Sequence, residues 1–361
     1  MTVSKAGGGN GEHFTIKLSS SYFVQTSTGD MVKTGVFHLF GFRLFRISGQ
    51  AVPIQLIYDK WIIDVDLLVE SEDNSTETKR SGIETISHLG RITTSDGSCF
   101  SADELKDMLA ALDRFFSFIM GHSCVAICPV GLSASGKQVY VEYNEPKHTG
   151  GVYSAFYHST MQPEVVELFS SFMTVWDDSD LHDTLWDIFY YYMMANDSGR
   201  GIEPGTIIAQ AALEKLCYSY MKRKMHLSDD QINFHCKGTK KVRKKPTQDK
   251  LREVLAKLNL PASIPATLPS LSAWATTRQQ QQQADHPSWT VIADGPFVLT
   301  DMRNAYTHSE SMSFNESAKI SAWRLSLWYI EIIILRLANY AGNYSNRLNK
   351  CAVEKFQQVH P

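Results

Sequence analysis

Alternating apolar and polar positions in the first part of the chain predict β-strands. The alternating segments are rich in aromatic and β-branched residues and lie at 37–45, 54–58, 60–69 and 138–143. Clusters of Gly, Ser, Asn and Asp separate them. We therefore expect a flexible, polar start over 1–13 and a strand-rich N-terminal domain over 14–196 that ends in amphipathic helices.

One helix interrupts the predicted strands. Ser101 and Glu104 have the spacing of a capping box, in which each side chain bonds the other's backbone. Apolar residues then recur at helical spacing at Leu105, Met108, Leu109, Leu112, Phe115, Phe116 and Ile119. We interpret this stripe as the face that the helix buries in a core.

From Pro163 onward the apolar period becomes helical. The predicted helices span about 163–176, 181–195, 203–226, 249–258, 295–308 and 315–340. The polar, Gly-containing run 196–201 marks a boundary, so a helical domain is expected over 203–350. The fold class predicted is α+β, with a strand-rich domain followed by an all-α bundle. The aromatic residues at 186–192 suit either base stacking or packing between domains, and packing between domains is favoured.

Composition narrows the chemistry. The 361 residues carry a formal net charge of −3, so contact with nucleic acid would depend on a local basic patch. Cys124 and Cys128 lie in an apolar run without a second pair, which favours buried free thiols over a zinc site. We predict no metal or cofactor. The segment 327–337 is short and contains Glu331, so a cytoplasmic protein without membrane spans is expected.

The run 237–245 is the strongest basic cluster, with six Lys or Arg among nine residues. The candidates for binding an RNA backbone are Lys240, Lys241, Arg243, Lys244 and Lys245. We expect this run to be a loop. A solvated loop without a ligand is an equally good interpretation.

Arg303, Asn304 and His308 form the constellation with the most chemistry. On a helix, Asn304 and His308 share a face, and Arg303 lies one step round from Asn304. A guanidinium can bind phosphate oxygens, and an imidazole can move a proton near neutral pH. The RNA 2′-hydroxyl supplies a nucleophile, so such a site needs no metal. The spacing by itself is weak, since an Arg and a His four or five residues apart arise by chance.

This segment resembles the HEPN family, in its ApeA-like branch. HEPN proteins carry an Arg, a polar residue and a His at the end of a helix, and Arg303, Asn304 and His308 match that pattern. The resemblance extends over about 203–347 and includes the segments 207–216, 331–337 and 340–347. The stretch 86–92 more loosely resembles the strand-rich domain that precedes such HEPN domains.

The resemblance implies a metal-independent endoribonuclease that acts as a homodimer in phage defence, abortive infection or toxin–antitoxin systems. Its implied partners are RNA, a second copy, and an antitoxin or a phage-derived trigger. Tyr306 and Glu310 could support the site, and Gln210 and Glu214, which share a helix face, could support His308. The alternatives are a non-catalytic dimerisation or binding module with an N-terminal sensor domain, and a nucleotide-transfer protein with Tyr306 as acceptor.

Overall fold

The computed structural model describes residues 2–6, 13–17, 22–26, 29–42, 46–47, 50–68, 86–144, 161–237, 240–288, 290–307, 315–349 and 352–356. The predicted α+β class is confirmed, because strands predominate in the first part of the chain and helices in the last part. Contacts divide the chain into two compact units. Unit 1 comprises 1–42, 53–112 and 125–148, and unit 2 comprises 43–52, 113–124 and 149–361.

The centre of unit 1 is a seven-stranded antiparallel sheet in the order β3-β11-β10-β4-β9-β8-β7. Its strands are β3 (Tyr22–Thr26), β4 (Thr34–Phe40), β7 (Ile54–Tyr58), β8 (Trp61–Leu67), β9 (Ile86–Thr94), β10 (Val125–Leu132) and β11 (Gln138–Asn144). Separate from this sheet are two pairs: β1 (Thr2–Ala6) with β2 (His13–Lys17) in unit 1, and β5 (Arg46–Ile47) with β6 (Gln50–Ala51) in unit 2. Strand β1 therefore lies within the predicted flexible start.

One face of this sheet forms the core of unit 1. Alternate residues of β4 are buried, as period-two patterning requires, and Phe37 is fully buried. Gly90 on the neighbouring β9 makes room for it, since a Cβ there would lie 2.1 Å from Cζ of Phe37. Leu105 packs over Gly35 in the same way. Large side chains thus fill the space that two glycines leave in the sheet.

Helix α1 (Ala102–Met120) begins at the predicted capping box. The Ser101 N–H donates to Glu104 Oε2 at 2.8 Å, and the Glu104 N–H donates to Ser101 Oγ at 3.1 Å. The predicted apolar stripe is buried along the helix. The residues of α1 as far as Leu112 belong to unit 1, and those from Asp113 to its end belong to unit 2.

Unit 2 is helical. Its helices are α2 (Gln162–Trp176), α3 (His182–Asn196), α4 (Ile202–Arg223), α5 (Asp229–Asn233), α6 (Thr247–Lys257), α7 (Pro269–Asp285), α8 (Gly295–Thr307) and α9 (Glu316–Leu337). Besides the β5–β6 pair, the helices are accompanied by the hairpins β12 (Phe234–Lys237) with β13 (Lys240–Lys244) and β14 (Asn343–Asn346) with β15 (Ala352–Lys355). Helix α4 contacts α3, α6, α8 and α9. Because α2 and α3 group with the later helices, unit 2 begins earlier than the helical domain predicted at 203.

A buried polar network ties α3 and α9 to the turn after β14. Arg347 Nε donates to Glu331 Oε1 at 2.8 Å, and the Tyr192 hydroxyl donates to the same oxygen at 2.6 Å. Arg347 also donates to Asn196 Oδ1 at 3.1 Å. Burial by itself would lower the pKa of Arg347, but the adjacent Glu331 carboxylate raises it above the ordinary value.

Three local predictions need correction. The strand predicted to Phe45 ends at Phe40, and the next residue, Gly41, has a φ of 79° that extended strands do not adopt. The basic run predicted as a loop forms the β12–β13 hairpin. Cys124 is buried as expected, whereas Cys128 is only half-buried, because the β10–β4 register shifts between Ile127 and Val130. The described cysteines are free thiols.

Candidate functional site

The predicted catalytic helix is α8, and its first turn is firmly held. Asp294 accepts a hydrogen bond from the Phe297 N–H at 2.9 Å. The same carboxylate accepts hydrogen bonds from Nε and Nη2 of Arg252 on α6, at 2.6 and 2.9 Å. Further along, Asp301 accepts from Arg278 of α7 at 2.8 Å. The helix that carries Arg303 and Asn304 is therefore fixed by its neighbours.

Arg303 lies near the exposed end of α8 and is only loosely held. Its Nη1 donates to Asn304 Oδ1 at 3.3 Å, and its Nη2 lies 4.0 Å from Glu214 Oε2. The Arg303 side chain is 40% exposed. The guanidinium therefore keeps donors that a phosphate could use. His308 and Glu310 lie outside the described residues, so the structure positions Arg303 and Asn304 of the predicted triad.

Of the two predicted supporting residues on α4, Glu214 reaches the site. Its Oε1 accepts from the Thr247 hydroxyl at 3.2 Å, while its Oε2 faces Arg303. Gln210 lies one turn earlier and is buried. The spacing on α4 was predicted to support His308, and the structure shows that Glu214 is a counter-charge to Arg303.

Tyr306 has different surroundings from Arg303. Burial, followed by the carboxylates of Glu203 and Glu316, raises the pKa of its phenol well above the ordinary value. Those carboxylates lie in the first turns of α4 and α9. A phenol that is harder to ionise is a poor general base at neutral pH.

The basic hairpin, β12 with β13, presents most of its charge to solvent. Lys240, Lys241, Arg243 and Lys244 are exposed, although Lys241 Nζ lies 2.7 Å from Asp230. Lys245 differs from them. Its side chain is 7% exposed and its ammonium donates to Glu253 at 2.6 Å, so it does not belong to the exposed surface.

The aromatic residues of α3 divide between core and surface. Phe189 and Tyr192 are buried, and both rings contact Phe118, so this face packs within unit 2. Trp186 and Tyr190 are exposed, and the guanidinium of Arg114 lies 4.1 Å from the centre of the Trp186 ring. The inward-facing aromatic residues therefore pack within unit 2, and the predicted packing between domains stays a prediction.

Among the described residues, no group of three or more His, Cys, Asp or Glu side chains is arranged to hold a metal ion. Within the same part of the chain, no helix has the length and apolar character needed to cross a membrane.

Comparison with known families decides the relationship of the chain. The model of the YopA C-terminal domain matches residues 178–358, just over half of the chain, and the model of the YopA central domain matches 31–153. The chain belongs to the YopA family. A YopA relative, the SPbeta prophage-derived uncharacterized protein YopA of Bacillus subtilis (strain 168), is 24% identical over 324 residues, which cover 88% of this chain and 67% of the relative. No solved structure matches the chain.

The two YopA domains account for both parts of the fold. The YopA central domain contains the sheet from β4 to β11 together with α1, and the YopA C-terminal domain contains α3 to α9. Arg303, Glu214 and the basic hairpin all lie in the YopA C-terminal domain. The names of these domains describe no activity, so cleavage of RNA stays a prediction.

Sequence reasoning missed one cluster in the YopA C-terminal domain. His235 of β12 contacts Asp249 of α6, with 2.9 Å between Nε2 and Oδ2. Their fourteen-residue separation matches no motif, and the contact depends on how the hairpin folds back. The neighbouring helix α5 could have been found, because Ser228 and Gln231 have capping-box spacing and form that box.

Proposed function

We propose that this YopA-family protein is a metal-independent endoribonuclease of the HEPN type. The observation that carries the proposal is the position of Arg303: a part-exposed guanidinium beside Asn304 on a fixed helix, five residues before His308. A site that cleaves RNA needs a cation for the charge that develops on the phosphate and a group that moves protons. Arg303 supplies the first, and His308 supplies the second.

The reaction starts from the RNA itself. The 2′-hydroxyl gives its proton to a base, and the 2′-oxygen attacks the adjacent phosphorus. The bond to the 5′-oxygen then breaks, and that oxygen receives a proton. The products are a 2′,3′-cyclic phosphate and a 5′-hydroxyl. Arg303 stabilises the pentacoordinate phosphorane, and His308 serves as base or acid.

Two further features support RNA as the substrate. The basic hairpin offers exposed charges that can bind a phosphate backbone without reading its sequence. The resemblance to HEPN proteins implies a homodimer, in which two copies of Arg303 and His308 surround one phosphate. The prophage origin of the Bacillus relative fits a role in phage defence or a toxin–antitoxin system.

The test is incubation of the purified protein with total RNA and tRNA in EDTA, beside Arg303→Ala and His308→Ala. Arg223→Ala is the matched control, since Arg223 is an exposed arginine in the last turn of α4. We expect the parent and the control to cleave RNA and leave cyclic-phosphate ends. We expect no cleavage by the two site variants. Equal cleavage by Arg303→Ala contradicts the site assignment.

The second candidate function is a non-catalytic binding or dimerisation module. The observation that favours it is the Glu214 carboxylate, which lowers the positive charge around Arg303. RNA binding and oligomeric state, measured on the same protein beside the cleavage assay, separate the two functions. A dimer that binds RNA without cutting it, in EDTA or in Mg²⁺, supports the module.

A further inference from the structure

The base of the basic hairpin holds a histidine in a defined orientation. Asp249, in the first turn of α6, accepts from His235 Nε2 through Oδ2 at 2.9 Å. Its other oxygen, Oδ1, accepts from Arg252 Nη1 at 2.7 Å. Arg252 also binds Asp294 through two hydrogen bonds. The carboxylate that orients the imidazole is thus itself fixed from the opposite side.

This contact assigns the hydrogen of the neutral imidazole. A carboxylate paired with the guanidinium of Arg252 accepts hydrogen bonds, so Nε2 of His235 carries the hydrogen. Nδ1 is then left with a lone pair and can accept a hydrogen bond. Among the described residues, Nδ1 has no such donor, and the His235 side chain is 32% exposed.

A mostly free guanidinium lies beside this acceptor. Arg243 is the residue opposite His235 across the hairpin. Its Nη2 lies 3.7 Å from Asp249 Oδ2, the oxygen that also receives His235. The Arg243 side chain is 67% exposed, so most of its donors face solvent. An acceptor and a cation are therefore adjacent on one surface.

We propose that His235 and Arg243 form a subsite for one ribose–phosphate unit of RNA. Nδ1 of His235 accepts a hydrogen bond from the 2′-hydroxyl, and Arg243 binds the phosphate next to that ribose. Asp249 is a positioning residue that keeps Nδ1 as the acceptor. DNA has the phosphate and lacks the hydroxyl, so the subsite selects RNA. The inference rests on RNA being the ligand, as in the proposed function, and requires no cleavage at Arg303.

Binding measurements test the subsite. A short fluorescent RNA strand, its 2′-O-methyl form and the DNA strand of the same sequence are titrated with the Arg303→Ala protein, in which that substitution prevents cutting. His235→Phe is expected to weaken RNA binding about fivefold, the effect of one hydrogen bond, and to leave DNA binding unchanged. Arg243→Ala is expected to weaken both by similar factors. The exposed Lys257→Ala of α6 is the control and changes neither.

A second variant tests the orientation. Asp249→Asn keeps the shape of the side chain, but its amide can donate to Nε2 and so place the hydrogen on Nδ1. Loss of the preference for RNA over DNA is expected, with thermal unfolding used to confirm that each variant is folded. If the contact between His235 and Asp249 only stabilises the fold, His235→Phe weakens the binding of RNA and of DNA equally.

Three results overturn the subsite: equal weakening of RNA and DNA, no change in either, or no binding of RNA by the parent. The outcomes for the proposed function are separate. Cleavage that needs Arg303 but no His235-dependent preference for RNA retains the enzyme and rejects the subsite. If the preference for RNA depends on His235 but the unmodified protein cleaves no RNA, the subsite is retained and the enzyme is rejected.

Discussion

Glu214 of α4 and Arg303 of α8 form a loose ion pair, with 4.0 Å between Oε2 and Nη2. Both side chains are part-exposed, so solvent screens the attraction and the pair adds little stability. An RNA phosphate must approach Arg303 against the Glu214 carboxylate. Glu214→Gln removes that repulsion, and we expect RNA affinity to rise about threefold at low salt and to converge with the parent at high salt.

Fluorescence anisotropy over a series of salt concentrations measures this effect. Glu203→Gln is a suitable comparison, because Glu203 lies on the same helix and pairs with Lys319. An unchanged affinity of Glu214→Gln at low salt would show that the phosphate does not lie near Arg303.

Lys244 and Lys245 are neighbours in sequence with different surroundings. Lys244 is exposed on β13, whereas Lys245 is buried against Glu253. We expect Lys244→Met to weaken RNA binding about twofold to threefold and to reduce the slope of log affinity against log salt by about one. Lys245→Met is expected to leave that slope unchanged and to lower the free energy of unfolding by about 1 kcal/mol. Salt titrations and urea unfolding measure the two quantities. A salt slope that changes in Lys245→Met and not in Lys244→Met would contradict the exposure of Lys244 and the burial of Lys245.

Local signals were predicted well from the sequence. Ser101 and Glu104 are three residues apart, and their capping box depends on nothing distant. The β12–β13 hairpin was missed because its second strand has one apolar residue, Val242, which is itself exposed. Propensity favours a loop there, and pairing with β12 supplies the hydrogen bonds that make it a strand.

Contacts between distant residues could not be predicted in this way. The His235–Asp249 contact requires the hairpin to fold onto α6, and the Glu214–Arg303 pair requires α4 and α8 to pack together. Periodicity predicts which face of a helix is buried but not which helix covers it. The pattern of Arg303, Asn304 and His308 indicated the candidate chemistry from the sequence. The position of Glu214 as the counter-charge to Arg303 could be seen only in the folded structure.

The buried pair of Arg347 and Glu331 gives a stability prediction. Both side chains are almost completely buried. Arg347→Ala leaves the Glu331 carboxylate without its cation, and we expect the free energy of unfolding to fall by about 3–5 kcal/mol. The double change Arg347→Met with Glu331→Leu removes both charges and is expected to recover most of that loss. Urea unfolding measures each value, and a double variant no more stable than Arg347→Ala would contradict this account.

His88 of β9 makes the stability of unit 1 depend on pH. Burial lowers its pKa to about 4, from the ordinary value of 6.5. Between these values the unfolded chain binds a proton that the folded chain does not bind, so stability falls as the pH falls. The contribution is fully present above about pH 6.5 and is lost as the pH approaches 4. At pH 4.5 the expected loss is about 2–3 kcal/mol relative to pH 7.

His88→Phe isolates this contribution, because Phe preserves a ring beside Phe42, whose centroid lies 4.9 Å from that of His88. Hydrogen exchange of the β4 and β9 amides, corrected for the intrinsic rate at each pH, gives the local free energy of opening. Between pH 7 and pH 4.5 we expect the parent to lose about 2–3 kcal/mol more stability than His88→Phe. Other carboxylates and histidines titrate in both proteins, so the difference between the two curves, rather than either curve, carries the result. Parallel curves would contradict the lowered pKa, because a His88 that binds its proton equally well in the folded and unfolded chains adds no dependence of stability on pH.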